Sequence, residues 1–312
     1  MKKAVKKIVI DCDPGVDDAI ALLLAFASPE LEIMGIVAVA GNVSLPFTEK
    51  NTRKICELAK RENIKVYAGC PRPILRSLET ARHVHGETGL QGVELPEPQM
   101  PLQLQHGVEF LIETLMQASE PITLATLGPL TNLAIALIQA PQIIPKIQEV
   151  VLMGGATSQG NVTASAEFNF YVDPHAAHIV FTSGLPLTMI GLDVTHKVLT
   201  TPERLQQIRA IVTPVSAAAA AMLAHYGAYD VEKYGMLGSP LHDPCVIAYL
   251  IQPELFVGRN LHVAIETTSE LTMGRSIVDL WRSGHQEPNA YVIQQADDEG
   301  FYSLLIQRLA RL

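Results

Sequence analysis

The chain has 312 residues, 48% of them hydrophobic and 18% charged, and a formal net charge of -9. That composition is far from disordered sequence and supports a large core, while the acidic balance argues against a phosphate-tracking nucleic-acid surface and points to a small-molecule partner. No uncharged apolar run approaches the span of a bilayer, and acids at Asp11 and Asp13 break the stretch after Lys2, Lys3, Lys6 and Lys7, so neither a membrane span nor a secretion signal is expected.

The first apolar run, Lys7 to Cys12, reads as a buried strand that leads into Asp11-Cys12-Asp13-Pro14-Gly15-Val16-Asp17-Asp18, four carboxylates within eight positions. A helical pattern follows over Asp17 to Ala27. Taken alone, Asp17 or Asp18 reads as a helix cap, where an acid satisfies exposed N–H groups and favours the positive end of the helix. Capping uses one or two acids and leaves Asp11 and Asp13 unexplained. The cluster as a whole therefore favours a hard divalent cation held by oxygen ligands.

Further strands are predicted at Leu31 to Ala38, Ile64 to Tyr67, Ile122 to Thr126, Val150 to Met153 and Leu187 to Ile190. Between them, helices are predicted at Thr48 to Lys60, Val108 to Ala118, Leu130 to Ala140, Pro174 to Ser183 and Pro244 to Leu250. The Ala-rich stretch Val212 to Leu223 reads as a buried or semi-buried helix. Alternation of this kind implies an α/β fold, single-domain and Rossmann-like, with a mainly parallel sheet, helices on both faces and loop insertions around the active site. Residues 1–312 carry no linker, charge block or repeat that would divide them.

Ligands of open parallel sheets lie beyond the carboxyl ends of the strands. Asp11 and Asp13 follow the first run, Gly41-Asn42 the second, Leu127-Gly128-Pro129 the fourth and Gly154-Gly155 the fifth. Carboxylates and carboxamides at such ends suit cations and sugar hydroxyls.

Six stretches carry a resemblance when taken in order: Asp11 to Ala19, Ala40-Gly41-Asn42, Val84-His85-Gly86-Glu87-Thr88-Gly89-Leu90, Val151-Leu152-Met153-Gly154-Gly155, Ala166-Glu167-Phe168-Asn169 and His242-Asp243-Pro244. Together they resemble the inosine-uridine nucleoside hydrolase family over nearly the whole chain. Asp193 to Lys197 and Pro240 to Cys245 look closest to its pyrimidine-specific ribonucleoside hydrolases. The resemblance implies Ca2+-dependent hydrolysis of the N-glycosidic bond of ribonucleosides, giving ribose and free base. Uridine and cytidine are the expected substrates, with a purine-preferring or broad hydrolase as the alternative.

The ligands implied for Ca2+ are Asp13, Asp18, Asp243 and the main-chain carbonyl of Leu127. Asp17 would sit beside the ion and hold the ribose, Asp13 would activate the metal-bound water as general base, and Asp11 would support the cluster from behind. Asn42, Asn161, Glu167 and Asn169 match the family's ribose contacts, and Met153 and Phe168 fall in the same substrate-binding motifs. Without the motifs, Asn42 and Asn161 read as ordinary turn residues. Glu167 and Asn169 alternate around Phe168, so in an extended chain both would point into the site, or else onto a solvated strand face.

His242 is placed to protonate or orient the leaving base, an imidazole being able to titrate in the useful range, although a histidine beside an acid also serves as a structural hydrogen bonder. His85 is read as a base or sugar contact on a loop. Segment Tyr226 to Gly238 corresponds to a variable lid in which Tyr234 matches a tyrosine near the base. Asp230 replaces a glutamine of a related enzyme, where it either accepts from an exocyclic amino group or faces water.

Two other classes stay open: an aspartate-nucleophile phosphatase, since a strand followed by Asp-x-Asp can form an aspartyl-phosphate, and a catalytically silent nucleoside-binding protein. Cys12, Cys56, Cys70 and Cys245 lack metal-type spacing and read as reduced thiols, in keeping with a bacterial-type cytoplasm. The family resemblance implies a homodimer or homotetramer, while charge and hydropathy lead to the expectation of no nucleic-acid or membrane partner.

Overall fold

The computed structural model describes residues 5–235 and 237–312, and of residues 227–234 only the helical backbone. Its strands are β1 (Lys6–Cys12), β2 (Leu31–Ala38), β3 (Val66–Ala68), β4 (Ile122–Thr126), β5 (Ile147–Met153), β6 (Leu187–Ile190), β7 (Leu199–Thr200), β8 (Ser239–Pro240), β9 (Phe256–Leu261), β10 (Val263–Ile265), β11 (Ser276–Val278) and β12 (Ala290–Ala296). Eight of them form one sheet in the order β3-β2-β1-β4-β5-β6-β12-β9. Every pairing in it is parallel except that of β9 with β12.

The helices are α1 (Val16–Phe26), α2 (Leu45–Leu58), α3 (Arg82–His85), α4 (Gly107–Gln117), α5 (Thr131–Gln139), α6 (Phe168–Val172), α7 (Pro174–Phe181), α8 (Leu192–Thr195), α9 (Pro202–Arg209), α10 (Pro214–Tyr234), α11 (Pro244–Ile251) and α12 (Asp298–Leu309). They cover both sheet faces, as the alternation of predicted elements requires. Ile8, Ile10 and Cys12 join the apolar cluster built on α1, α10, α11 and α12, whereas Val9 joins the cluster built on α4, α5 and α7. The split follows from the two-residue period of a strand. With both faces covered, β1 and β4 read as continuous apolar runs, which is why they were visible in the sequence.

Several parts of the fold were not predicted, among them strands β9 and β12 of the main sheet and helix α9. Strand β9 buries only its two ends, because an antiparallel edge strand exposes part of each face and lacks a continuous apolar run. The hairpin β10–β11 and helix α12 were also missed. At Glu167 to Asn169 the expectation of extended chain is corrected: Phe168–Val172 is a short helix with Glu167 at its N-cap, its carboxylate accepting from the main-chain N–H of Asn169 and Phe170.

Strand order places the chemistry. The chain leaves β1 toward β2 and β3 on one side and returns to β4, β5 and β6 on the other, so the crevice of the sheet opens at the end of β1. In register, Cys12 lies beside Ala38 and Asp11 beside Thr126. The turns after β1, β2 and β4 therefore meet. Helix α11 packs on α1, and this brings the N-terminus of a helix more than two hundred residues later to the same point.

Asp173 fastens the back of the crevice. Its Oδ1 accepts from the Ala176 N–H at 3.0 Å as the cap of α7, while Oδ2 accepts from the Ile74 N–H at 2.9 Å and the Thr131 hydroxyl at 2.7 Å. The residue is fully buried. Asp173→Ala removes a cap and strands two buried donors, so urea unfolding should show a loss of about 2–4 kcal/mol. A variant within 0.5 kcal/mol of the parent, a threshold at about the scale of surface substitutions, would contradict this role.

Candidate active site

The turn after β1 folds its own acids inward. The main-chain N–H groups of Asp13 and Gly15 donate to Asp18 Oδ1 and Oδ2 at 3.1 and 3.0 Å. Capping is thus a true description of Asp18, but an incomplete one. From the turn after β2, the Asn42 N–H donates to Asp13 Oδ2 at 2.7 Å, and its side-chain amide donates to Asp18 Oδ2 at 3.1 Å and to the Asp13 carbonyl at 3.2 Å. Asn42 spends its donors on the acids, and its side chain also lines the cavity beside them.

Asp243, at the start of α11, completes the group. One oxygen from each of Asp17, Asp18 and Asp243 lies within 4.8 Å of the others, and all three residues are buried. Asp13 adjoins this trio, and Leu127, whose carbonyl accepts from the Asn169 amide, lines the same cavity. Among the described residues, Asp13 Oδ1 and Asp17 Oδ1 are buried without a hydrogen-bond partner.

Burial pushes the Asp13 and Asp243 carboxyls well above the usual range, with repulsion from their neighbours adding to it. Burial and then the Asp18 charge bring Asp17 up to about 8, and burial alone raises Asp18. Asp11 also rises to about 8 through burial, against a hydrogen bond from Asn132. Buried carboxylates in such number require protons or a cation. An all-oxygen donor set with two unpartnered oxygens fits a hard divalent ion.

The cavity has a volume of about 320 Å3. Asn169 donates to the carbonyls of Leu127 at 2.7 Å and Met153 at 3.1 Å, leaving its own oxygen to accept. Glu167 accepts from Gly155, Asn169 and Phe170, and burial brings its carboxyl up to about 7. Phe168 and Met153 line the wall, and exposed Asn161 lies at the rim with its side-chain oxygen accepting from the Phe168 N–H at 3.0 Å.

Two histidines close the other side. His242 Nδ1 lies 2.7 Å from the Thr195 hydroxyl, and desolvation, then the nearby His196 and His85, hold the ring well below its ordinary pKa. His85 is held down to about 3 by burial and then His83. Its neutral Nδ1 accepts from the Val16 N–H at 3.1 Å, so the 3.9 Å approach of Asp17 Oδ1 to the same atom is not an ion pair. The Tyr226 ring stacks on His85 with centroids 5.4 Å apart.

The structure brings Asp13, Asp17, Asp18, Asn42, His85, Leu127, Met153, Asn161, Glu167, Phe168, Asn169, His242 and Asp243 to this one place. The side chains of Asp230 and Tyr234 lie outside the described residues. Sequence reasoning missed His196 as a lining residue and named Tyr226 only as the first residue of the lid segment. His196 sat in a quoted motif, whereas nothing local singles out Tyr226.

A model of the inosine-uridine preferring nucleoside hydrolase family matches residues 8–303. The pyrimidine-specific ribonucleoside hydrolase RihA of Salmonella schwarzengrund is 46% identical over 303 residues, 97% of each chain. An uncharacterised protein of Schizosaccharomyces pombe is 48% identical over 309 residues, 98% of this chain and 99% of that one. Among solved structures, a purine-preferring ribonucleoside hydrolase from Gardnerella vaginalis superposes with a TM-score of 0.92 at 34% identity, covering 98% of each chain.

A bound cation should stabilise this site by mass action. Restoring a divalent cation to a chelator-treated sample at a hundred times its dissociation constant should add about 2.7 kcal/mol. The measurement is thermal unfolding with and without chelator, and an unchanged midpoint would count against a cation in the cluster.

Proposed function

We propose that this chain, which belongs to the inosine-uridine preferring nucleoside hydrolase family, hydrolyses pyrimidine ribonucleosides such as uridine and cytidine with Ca2+ in the carboxylate cluster. The observation that carries the reading is the buried trio of Asp17, Asp18 and Asp243 beside Asp13, facing a cavity walled by Asn42, Glu167 and Asn169. The preference for pyrimidines is drawn from the likeness to RihA. A purine preference is the second reading, favoured by the likeness to the Gardnerella vaginalis structure.

Asp13, Asp18, Asp243 and the Leu127 carbonyl would hold the ion, with Asp17 beside it. When bound, a divalent cation lowers the pKa of water and orients ligands. The acceptor oxygens of Asn42 and Asn169, together with Asn161, Glu167, Asp17 and Asp243, take the ribose hydroxyls, which both donate and accept. Cleavage of the N-glycosidic bond leaves positive charge on the sugar, and the surrounding carboxylates stabilise it as it develops. The Asp13 carboxylate, oriented by the Asn42 N–H on its Oδ2, takes the proton of the attacking water. His242 offers Nε2 to the departing base, its Nδ1 being engaged by Thr195.

Incubation with uridine, cytidine, inosine and uridine monophosphate, with and without chelator, distinguishes the readings. Free uracil and ribose without phosphate release are expected, with uridine and cytidine turned over faster than inosine. Phosphate release from the monophosphate alone would sink the proposal. Asp13→Asn should lower kcat by about 10²–10⁴-fold, the range of a lost general base, while uridine still binds. An Asp13→Asn enzyme of near-parental kcat would refute the role of that side chain.

A further inference from the structure

The segment from Ala81 to Gly89 is fastened at three points, one to Asn42 and two to the turn after β1. At its start, the Ala81 N–H donates to the Asn42 carbonyl at 3.0 Å, and Asn42 is the residue whose amides hold Asp13 and Asp18. At its middle, His85 Nδ1 accepts from the Val16 N–H, the first residue of α1. Near its end, Asn51 of α2 donates to both the Thr88 carbonyl at 2.6 Å and the Pro14 carbonyl at 3.0 Å. One side-chain amide thus bridges segment and turn.

The backbone is shaped for this contact. A Cβ on Gly15 would strike the His85 imidazole, and one on Gly89 would lie 2.7 Å from the Asn51 amide nitrogen and 2.8 Å from the Pro14 carbonyl. Gly89 also has φ of +94°, a conformation that side chains of the L series rarely adopt. Two glycines on opposite partners clear the same interface. Residues 14–16, which receive the contacts, connect Asp13 to Asp17 and Asp18, and the Gly15 N–H itself holds Asp18 Oδ2. The turn cannot shift without moving the acids on either side of it.

We propose that His85 and Asn51 are positioning residues for the cation site, coupling the seating of segment 81–89 to cation binding. The inference rests on the reading that the carboxylate cluster binds a divalent ion. His85 acts through the Val16 N–H, and Asn51 through the Pro14 carbonyl, to hold the turn in its binding conformation. Coupling is reciprocal: if the seated segment raises affinity for the ion, the ion must hold the segment down by the same factor. The nucleoside would then meet a wall already in place when the ion is bound, with His85 Nε2 free of the main chain.

The test is calorimetric titration of the full chain with Ca2+, in parent, His85→Ala, Asn51→Ala and Asp173→Ala forms. The two positioning variants should bind Ca2+ about 5- to 150-fold more weakly, the usual range of coupling between sites. Asp173→Ala, which is destabilised elsewhere, should bind as the parent does. Equal affinity in all four would overturn the inference while leaving the cation site intact, whereas a parent that binds no ion would overturn the reading of the site itself.

Hydrogen exchange on the parent protein supplies an independent arm that does not depend on any variant folding. Addition of Ca2+ should slow exchange of the Val16 and His85 amides at least fivefold and leave β10–β11 unchanged. Protection of the trio's helices without protection of segment 81–89 would contradict the coupling.

Discussion

Carboxylates that come within 4.8 Å of one another in a buried site repel by about 3 kcal/mol per charged pair at an effective dielectric of about 20. The end of β1 concentrates this cost. Much of the crevice is arranged to offset it with main-chain and amide donors: the N–H groups of Asp13 and Gly15 to Asp18, and the Asn42 N–H and amide to Asp13 and Asp18. The N-termini of α1 and α11 add positive field from two directions. Donors are still fewer than lone pairs, and the unpartnered oxygens of Asp13 and Asp17 are the remainder that a cation would take up.

The sheet order makes such crowding possible. Because the chain reverses direction across the sheet at β1, the turns after β1, β2 and β4 converge, and the packing of α11 on α1 adds Asp243. A site of this kind has rigid elements behind every acid. The remaining wall differs: segment 81–89 is held by hydrogen bonds to the turn and to Asn42, and Tyr226 of α10 stacks on His85. The wall that carries His85 is thus tied directly to the turn that carries the acids.

Much of this was legible in the sequence, for physical reasons that differ by region. Parallel strands covered on both faces must be apolar throughout, so β1, β2, β4 and β6 announced themselves. Edge strand β9 did not, since Val257 to Asn260 face outward or lie only half-buried. Asp13, Asp17 and Asp18 were singled out because four acids in eight positions cannot all be caps, and the structure does bring them together. Asp243 came only from motif resemblance, because no local pattern reports a contact across more than two hundred residues. Glu167 was expected on a strand, yet its carboxylate caps α6, a use of glutamate that residue spacing does not signal. The engagement of His85 with the Val16 N–H is tertiary and left no trace in either segment.

Asp11 illustrates how roles divide within one cluster. It lies behind the turn, hydrogen-bonded to Asn132, which in turn accepts from the Cys70 N–H. Asp243 is the opposite case, since it closes the front from the far end of the chain. Cation binding should depend on that closure, and calcium titration of metal-stripped parent and Asp243→Ala proteins tests it most directly. One ion per chain in the parent and no measurable binding in the variant is the predicted result; undiminished binding to Asp243→Ala, or none to the parent, would contradict it.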